Sequence, residues 1–257
     1  MATKSCDGTN NVLVIFLEEK HRRLVQSQFS DTLESSDSDA LYRAFLEDTI
    51  AACLTLDSFE LVISSSSGEA EKIVSGAIEN LKQSLKGKAK TRLEQNDIKL
   101  WDQPEVPLSE GLQKTFQKCF AGGYSQVLLI DCVTPTISHR MLEAAHKLLK
   151  KKDIVFGPTL EGSYYLIGMC KFIPQLFTRI NWSEDELIYS RIVEVAREDG
   201  LNWEELELWY DLQQPEDLEY LVRDINAFRM IGDESSAKRT EGVLNTLIEK
   251  FQREEAD

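Results

Sequence analysis

Residues 127–156 read VLLIDCVTPTISHRMLEAAHKLLKKKDIVF, and the hydrophobic period changes twice along them. Val127 to Ile130 is an uninterrupted apolar run, the pattern of a strand buried on both faces rather than of one with a solvated side. The Thr134-Pro135-Thr136 turn ends it, Ser138 is placed as an N-cap, and the chain from Ser138 to Lys150 carries helical spacing. Asp153 to Phe156 is a short apolar run again. Strand, helix, strand in that order, repeated along the chain, argues for a mainly parallel sheet with helices on both faces.

Working outward, the alternation continues. Val12 to Leu17, Phe59 to Ile63 and Ile98 to Trp101 are predicted strands upstream; Ser163 to Gly168 and Leu206 to Tyr210 are predicted downstream. Helices are expected from Ala40 to Leu56, from the Ser64–Ser67 turn and Gly68 through Leu85, from Ser109 to Phe120 before Gly122-Gly123, from Ser183 to Glu198, and from Pro215 to Ala227. Ser35 to Asp39 is expected to be a solvated loop. The tail from Glu234 reads as a charged amphipathic helix with Val243, Leu244, Leu247, Ile248 and Phe251 as its stripe. That stripe covers the chain's own core or offers a surface to a second copy, giving a homodimer, or to a protein partner. The predicted architecture is a Rossmann-like, three-layer α/β/α sandwich with a mainly parallel sheet and a C-terminal helical extension. Its domain runs over residues 12–230, between a disordered stretch at 1–11 and the last helix at 231–257. Ligands of open parallel sheets sit beyond the carboxyl ends of the strands, so the loops after Leu17, Ile63, Trp101, Ile130 and Tyr210 are where function is sought.

Composition removes whole classes of partner. Across 257 residues, 29 Lys and Arg face 44 Asp and Glu, a formal charge of −15. Such a surface repels nucleic-acid phosphate and anionic lipid. The apolar runs fall far short of the ~20 residues of a membrane helix, and the absence of an apolar stretch before Val12 argues against a signal peptide, so a cytoplasmic location is expected. Cys6, Cys53, Cys119, Cys132 and Cys170 are odd in number and mostly in apolar context, as reduced core thiols would be.

Five blocks, in order, resemble one family. They are Leu41-Tyr42-Arg43-Ala44-Phe45-Leu46-Glu47-Asp48-Thr49, the segment Val127 to Thr136, Gly162-Ser163-Tyr164-Tyr165-Leu166-Ile167-Gly168, Asn181-Trp182-Ser183-Glu184-Asp185, and Tyr210-Asp211-Leu212-Gln213-Gln214-Pro215-Glu216-Asp217-Leu218. Between Val12 and Leu244 the chain resembles the GT-A-fold glycosyltransferase-like proteins, distantly related to nucleotidyltransferases. The resemblance implies a pocket for a nucleoside-diphosphate sugar and a divalent cation held by aspartates.

The departures fall where that chemistry belongs. After the first strand the family pattern runs P-x-P-G-K-x-K-T-R-L; here Lys20, Arg22, Arg23, Leu24, Gln26, Ser27 and Gln28 stand there. Each lost cation forfeits ~4 kcal/mol of attraction for a phosphate charge 4 Å away at an effective dielectric of 20. The family's G-S-D-C-P-T becomes Asp131-Cys132-Val133-Thr134-Pro135-Thr136, with Val133 in the aspartate's place and Asp131 two residues early. D-G-G-Y-Y becomes Glu161-Gly162-Ser163-Tyr164-Tyr165. D-V-D becomes Asp211-Leu212-Gln213, and hard cations prefer carboxylate to amide oxygen. Gln103 is retained, but Gly111 stands where a basic residue is usual.

With these losses, the resemblance implies a transferase-like protein whose nucleotide-sugar and metal site has degenerated, weakly active or non-catalytic, serving as a binding or scaffold protein. The alternative is an active transferase. In it Asp211, helped by Asp131 or Glu161, would hold Mg or Mn, and Glu161 would be a catalytic base. Arg22 or Arg23 would meet the phosphates, while Gln103, Thr134, Gly162, Tyr164 and Trp182 would contact nucleotide or acceptor. Gly87-Lys88-Ala89-Lys90-Thr91-Arg92-Leu93 spells the missing G-K-x-K-T-R-L, but between a helix and a strand it belongs at the amino edge of the sheet, as a solvated basic loop. His21, His139 and His146 are too scattered for a metal triad, and no nucleophile-elbow, P-loop or zincin pattern occurs.

Overall fold

The computed structural model describes residues 10–17, 23, 26, 27, 33–65, 68–95, 98–103, 106–182, 187–212 and 214–254. Strands β1 (Asn11–Leu17), β2 (Glu60–Ser65), β3 (Ile98–Asp102), β4 (Gln126–Ile130), β5 (Ile154–Pro158), β6 (Tyr164–Met169) and β7 (Trp203–Glu205) form one sheet among the described residues, in the order β3-β2-β1-β4-β6-β5-β7. β6 runs antiparallel to β4 and β5; the other pairings are parallel. The predicted mainly parallel sandwich is what forms.

Alternation along β1 shows the layers. Val12, Val14 and Phe16 enter one core with α4 (Leu108–Ala121), α6 (Gln175–Thr178) and α7 (Ile188–Glu198). Leu13, Ile15 and Leu17 enter the other, with α1 (Ser35–Cys53), α2 (Gly68–Ser84), α5 (His139–Leu149), α8 (Asp217–Met230) and α9 (Lys238–Glu254). An all-apolar strand is required because both faces are covered. Ser138 caps α5 by accepting from Met141 N at 3.3 Å. Leu244 and Leu247 of α9 are buried in the core they share with α1, and Val243 and Phe251 pack against it, while Ile248 of the same stripe is 47% exposed. No helix among the described residues is long and apolar enough to cross a membrane. Cys53, Cys119 and Cys132 are buried cysteines; burial pushes the Cys119 thiol up to about 12.

Several boundaries differ from expectation, each for a local reason. Ser35 to Asp39 is the first turn of α1 rather than a solvated loop: Asp37 and Ser38 N–H bond to the Glu34 carbonyl, and Lys250 of α9 pairs with Glu34 and Asp37 at 3.1 and 2.9 Å. Ser64 and Ser65 belong to β2, α7 begins at Ile188 and α8 at Asp217. The last strand is Trp203–Glu205, not 206–210; beyond it Leu206 N donates to the Phe156 carbonyl and Trp209 bridges Thr159, while between them the Glu207 carbonyl takes the Tyr165 hydroxyl at 3.0 Å. Residues 87–93 form a short helix, α3 (Gly87–Glu94), not a loop. It does lie at the amino end: Arg92 donates to the carbonyls of Leu54, Leu56 and Phe59, locking the end of α1 to the turn before β2. Arg92 acts as a structural clamp, while Lys88 of the same string stays exposed in a surface pair with Asp57.

Asp233 organises the turn between α8 and α9. Partial burial opposes its charge, but hydrogen bonds from the hydroxyls and N–H groups of Ser236 and Ser235 outweigh this and hold the carboxyl at about 2. A depressed carboxylate stabilises the fold above its ordinary range near 4 and loses that contribution as pH falls toward 2. Solvent screening keeps this below ~1 kcal/mol. Urea midpoints at pH 5 and pH 2.5 should therefore differ by less in Asp233→Asn than in the parent chain; an unchanged difference would remove Asp233 from the acid response.

Candidate functional site

The carboxyl ends of β1 to β5 open on one side of the sheet, and three segments meet there. After β4 the chain turns sharply: Asp131 Oδ1 accepts from Val133 N at 3.0 Å, and Ile137 N reaches the Thr134 carbonyl. Val133 is only 3% exposed and sits in the core with Ile137 and Met141. Its carbonyl accepts from Leu212 N at 2.9 Å, which brings the buried Asp211 alongside the β4 turn. Thr136 joins the same two segments, its hydroxyl accepting from Trp209 Nε1 at 2.9 Å and donating to the Tyr210 hydroxyl at 3.2 Å. Burial pushes the Tyr210 phenol up, keeping it neutral.

The third segment is the turn from β5 to β6. Thr159 pairs with Trp209, Leu160 N donates to the Trp209 carbonyl, and Ser163 N donates to Thr159 Oγ1. Gly162 holds φ +82°, a left-handed conformation that suits glycine, and its carbonyl accepts from Tyr189 N at 3.0 Å. Glu161 stands exposed on this turn. Tyr164 is half-buried, edge-on to Trp182 at 5.3 Å; Trp182 itself is buried, stacked on Phe177, with its indole N–H given to the Leu176 carbonyl.

Towards the first strand, Gln103 follows β3 and donates its backbone N–H to Ser65. Its Nε2 and the Thr134 hydroxyl are buried without hydrogen-bond partners among the described residues. Gly111 of α4 lies against the ring of Phe16, where an added Cβ would come to 3.2 Å of Cζ. A side chain at this position would press first on an aromatic ring from β1. Arg22 and Gln213 lie outside the described residues; Arg23 is exposed, and its neighbour Gln26 is tied to Asp39 of α1 at 2.7 Å.

The structure thus brings Asp131, Thr134, Asp211, Glu161 and Gly162 into one corner, with Gln103 three strands away. The sequence reading missed Thr136, Trp209 and Tyr165 as the residues that fasten this corner; the paired Thr136 and Trp209 carry no signal that spacing alone reveals. In the motif from Tyr210 to Leu218, Asp217 is buried and closes the start of α8, accepting from Gln214 N at 2.9 Å. For a magnesium or manganese ion this donor set fits poorly: hard cations need several carboxylate oxygens, yet Asp131 folds onto its own turn and the next expected carboxylate is Val133. Among the described residues no three His, Cys, Asp or Glu side chains are grouped to hold a metal. A cavity of about 760 Å³ lies along α8, lined by Leu218, the last residue of that motif, and by Val222, Asn226 and Met230 among others.

Residues 71–184 match a family described as an uncharacterized protein conserved in bacteria (DUF2064). No curated protein matches by sequence. Among solved structures, one from Desulfovibrio desulfuricans G20, provisionally described as a nucleotide-diphospho-sugar transferase, is similar with TM-score 0.71 and 24% identity, covering 94% of this chain and 97% of that one. A 4-diphosphocytidyl-2C-methyl-D-erythritol synthase from Anaerococcus prevotii DSM 20548 has TM-score 0.54 and 12% identity over 86% of this chain and 98% of its own. A cytidylyltransferase from Leptospira borgpetersenii serovar Hardjo-bovis has TM-score 0.50 and 12% identity over 92% and 93%. The likeness to GT-A-like, nucleotide-sugar transferase-like proteins read from the sequence is borne out, for the structures at the level of the fold.

Proposed function

We propose that this chain, which has the fold of a nucleotide-diphospho-sugar transferase, is a non-catalytic binding or scaffold protein whose crevice takes nucleotide-sugars weakly or not at all. The observation that carries this reading is the turn after β4. Val133, at the position of the expected aspartate, is packed into the core, while Asp131 Oδ1 accepts from the Val133 N–H. Rebuilding a charged site there would require burying a new carboxylate or unfolding the turn. The Phe16 ring against Gly111 supports the same reading on the opposite side of the crevice.

Titration calorimetry and thermal shift with UDP-, GDP- and ADP-sugars, each with magnesium or manganese, test it. A true ligand at 100 Kd would stabilise the fold by about 2.7 kcal/mol, so flat melting curves across the panel are expected. Micromolar binding that disappears in Asp211→Ala would defeat the proposal. One observation favours the second reading, a working transferase: the unpartnered Gln103 Nε2 and Thr134 Oγ1 are polar atoms that a bound nucleotide would satisfy. On that reading Glu161, Asp211 and Arg23 are the residues to substitute, and sugar transfer to an acceptor is the readout.

A further inference from the structure

Three leucines stand exposed around the β5–β6 turn: Leu160, Leu187 and Leu208 are 52%, 56% and 55% exposed. Backbone bonds hold them around one turn. Leu160 N donates to the carbonyl of Trp209, the neighbour of Leu208, and Tyr189 N, two residues beyond Leu187, donates to Gly162, two beyond Leu160. Thr159 and Trp209 pair across an isolated parallel bridge, which sets Leu160 just after one partner and Leu208 just before the other. Single exposed leucines need no explanation, but a group around one turn does. Glu161 follows Leu160 in the same turn, exposed, with no ion pair to any described residue. Its acidic neighbours differ: Glu207 is neutralised by Arg140 at 2.7 Å, Glu204 by Lys152 at 3.0 Å, and Glu205 takes the Tyr189 hydroxyl.

We infer that this rim docks a basic, leucine-bearing amphipathic helix of a partner protein, an inference that rests on the non-catalytic reading and supplies its partner class. Charge selects the occupant. The chain carries −15, so a second copy would bring the same excess of acid, and an anionic bilayer would be repelled likewise. A cationic helix instead meets Glu161 with a lysine or arginine while its apolar face covers the three leucines. Apolar anchors around one charge suit side chains spaced i, i+4, i+7 on a helix.

The probe is a fluorescently labelled helical peptide of leucine and lysine in a heptad pattern, titrated with the full chain at physiological salt and read by anisotropy. Micromolar saturation is expected, weakened about tenfold or more by Leu160→Ser with Leu187→Ser and Leu208→Ser, and also by Glu161→Lys, but not by Ile231→Ser elsewhere on the surface. Leu160→Ser alone serves should the triple variant melt early. The inference is overturned by absent saturation, by binding indifferent to these leucines, by a dimer in light scattering that the triple variant dissolves, or by leucine-dependent capture on anionic vesicles. Nucleotide-sugar titrations on the same samples keep the two claims apart. Micromolar sugar-nucleotide binding defeats the non-catalytic reading, whereas a silent panel with no peptide binding defeats the rim alone.

Discussion

Asp48→Ala is expected to destabilise the chain by about 3–5 kcal/mol, the range for removing one partner from a buried ion pair. At roughly 2–4 °C per kcal/mol for a protein near this size, its melting temperature should fall by about 6–20 °C. Asp48 is fully enclosed on α1, and its carboxylate accepts from the N–H groups of Arg239 and Thr240, at 3.1 and 2.8 Å, and from Arg239 Nη1 at 3.2 Å. These are the unsatisfied N–H groups of the first turn of α9, where the helix dipole also favours a negative charge. Glu47 beside it holds Asn80 at 2.8 Å and faces Arg239 Nε at 3.8 Å, while Arg239 Nη2 reaches Ser84. Burial pushes both carboxyls above their usual range, and for Asp48 the Thr240 and Arg239 groups pull against it. Alanine leaves the largely buried Arg239 with Glu47, 3.8 Å from its Nε, as its remaining counter-charge. Asp48→Ala with Arg239→Ala should consequently cost less than the two single changes added together, because the cation that lost its nearer carboxylate goes too. Denaturant unfolding of the three variants decides it, and strict additivity or a shift under ~1 °C for Asp48→Ala would refute the account.

That residue also marks how far the sequence could be read. The block Leu41 to Thr49 was legible as a signature, yet its acids serve the docking of α9, 191 residues further on, which no local period encodes. Continuous apolar runs made β1, β2 and β4 visible because a strand covered on both faces has no other composition. The same logic fails at the edge: Trp203–Glu205 is short, half-polar and held by three pairings, while the more apolar Leu206 to Tyr210 lies outside the strand. Charge strings misled for a related reason. Gly87 to Leu93 has the letters of a phosphate loop, but Arg92 is consumed by three carbonyls at the amino end of the sheet. At the crevice, substitutions at Val133 and Gly111 could be counted from sequence, whereas their physical consequence needed coordinates: Val133 is core, and Gly111 lies against the Phe16 ring.

Gly157→Ala should be nearly as damaging as loss of Asp48, although it adds a single methyl. Gly157 lies in β5 with the Tyr165 ring across it, so an added Cβ would fall 2.2 Å from Cζ and 2.5 Å from both Cε atoms. No side chain tolerates that approach. The ring cannot swing aside, for Tyr165 is entirely buried and its hydroxyl donates to the Glu207 carbonyl at 3.0 Å. Overpacking of about 1–3 kcal/mol adds to a lost hydrogen bond of ~0.5–1.5 kcal/mol, giving about 2–4 kcal/mol in all. Gly111→Ala makes the comparison: its Cβ would meet one edge of Phe16 at 3.2 Å, a contact relieved by a few tenths of an ångström, so its effect should be several-fold smaller. If the clash with Tyr165 is the cause, Gly157→Ala combined with Tyr165→Leu will cost less than the sum of the two, whereas additive losses would locate the damage elsewhere. The displacement should be felt beyond stability. Tyr165 fastens the Glu207 segment to β6, and that segment continues into Trp209, which pairs with Thr159 beneath Leu160 and Glu161. Gly157→Ala protein that remains folded at low temperature should therefore bind the leucine-lysine peptide more weakly than the parent, while Gly111→Ala, on the far side of the crevice, leaves that affinity unchanged.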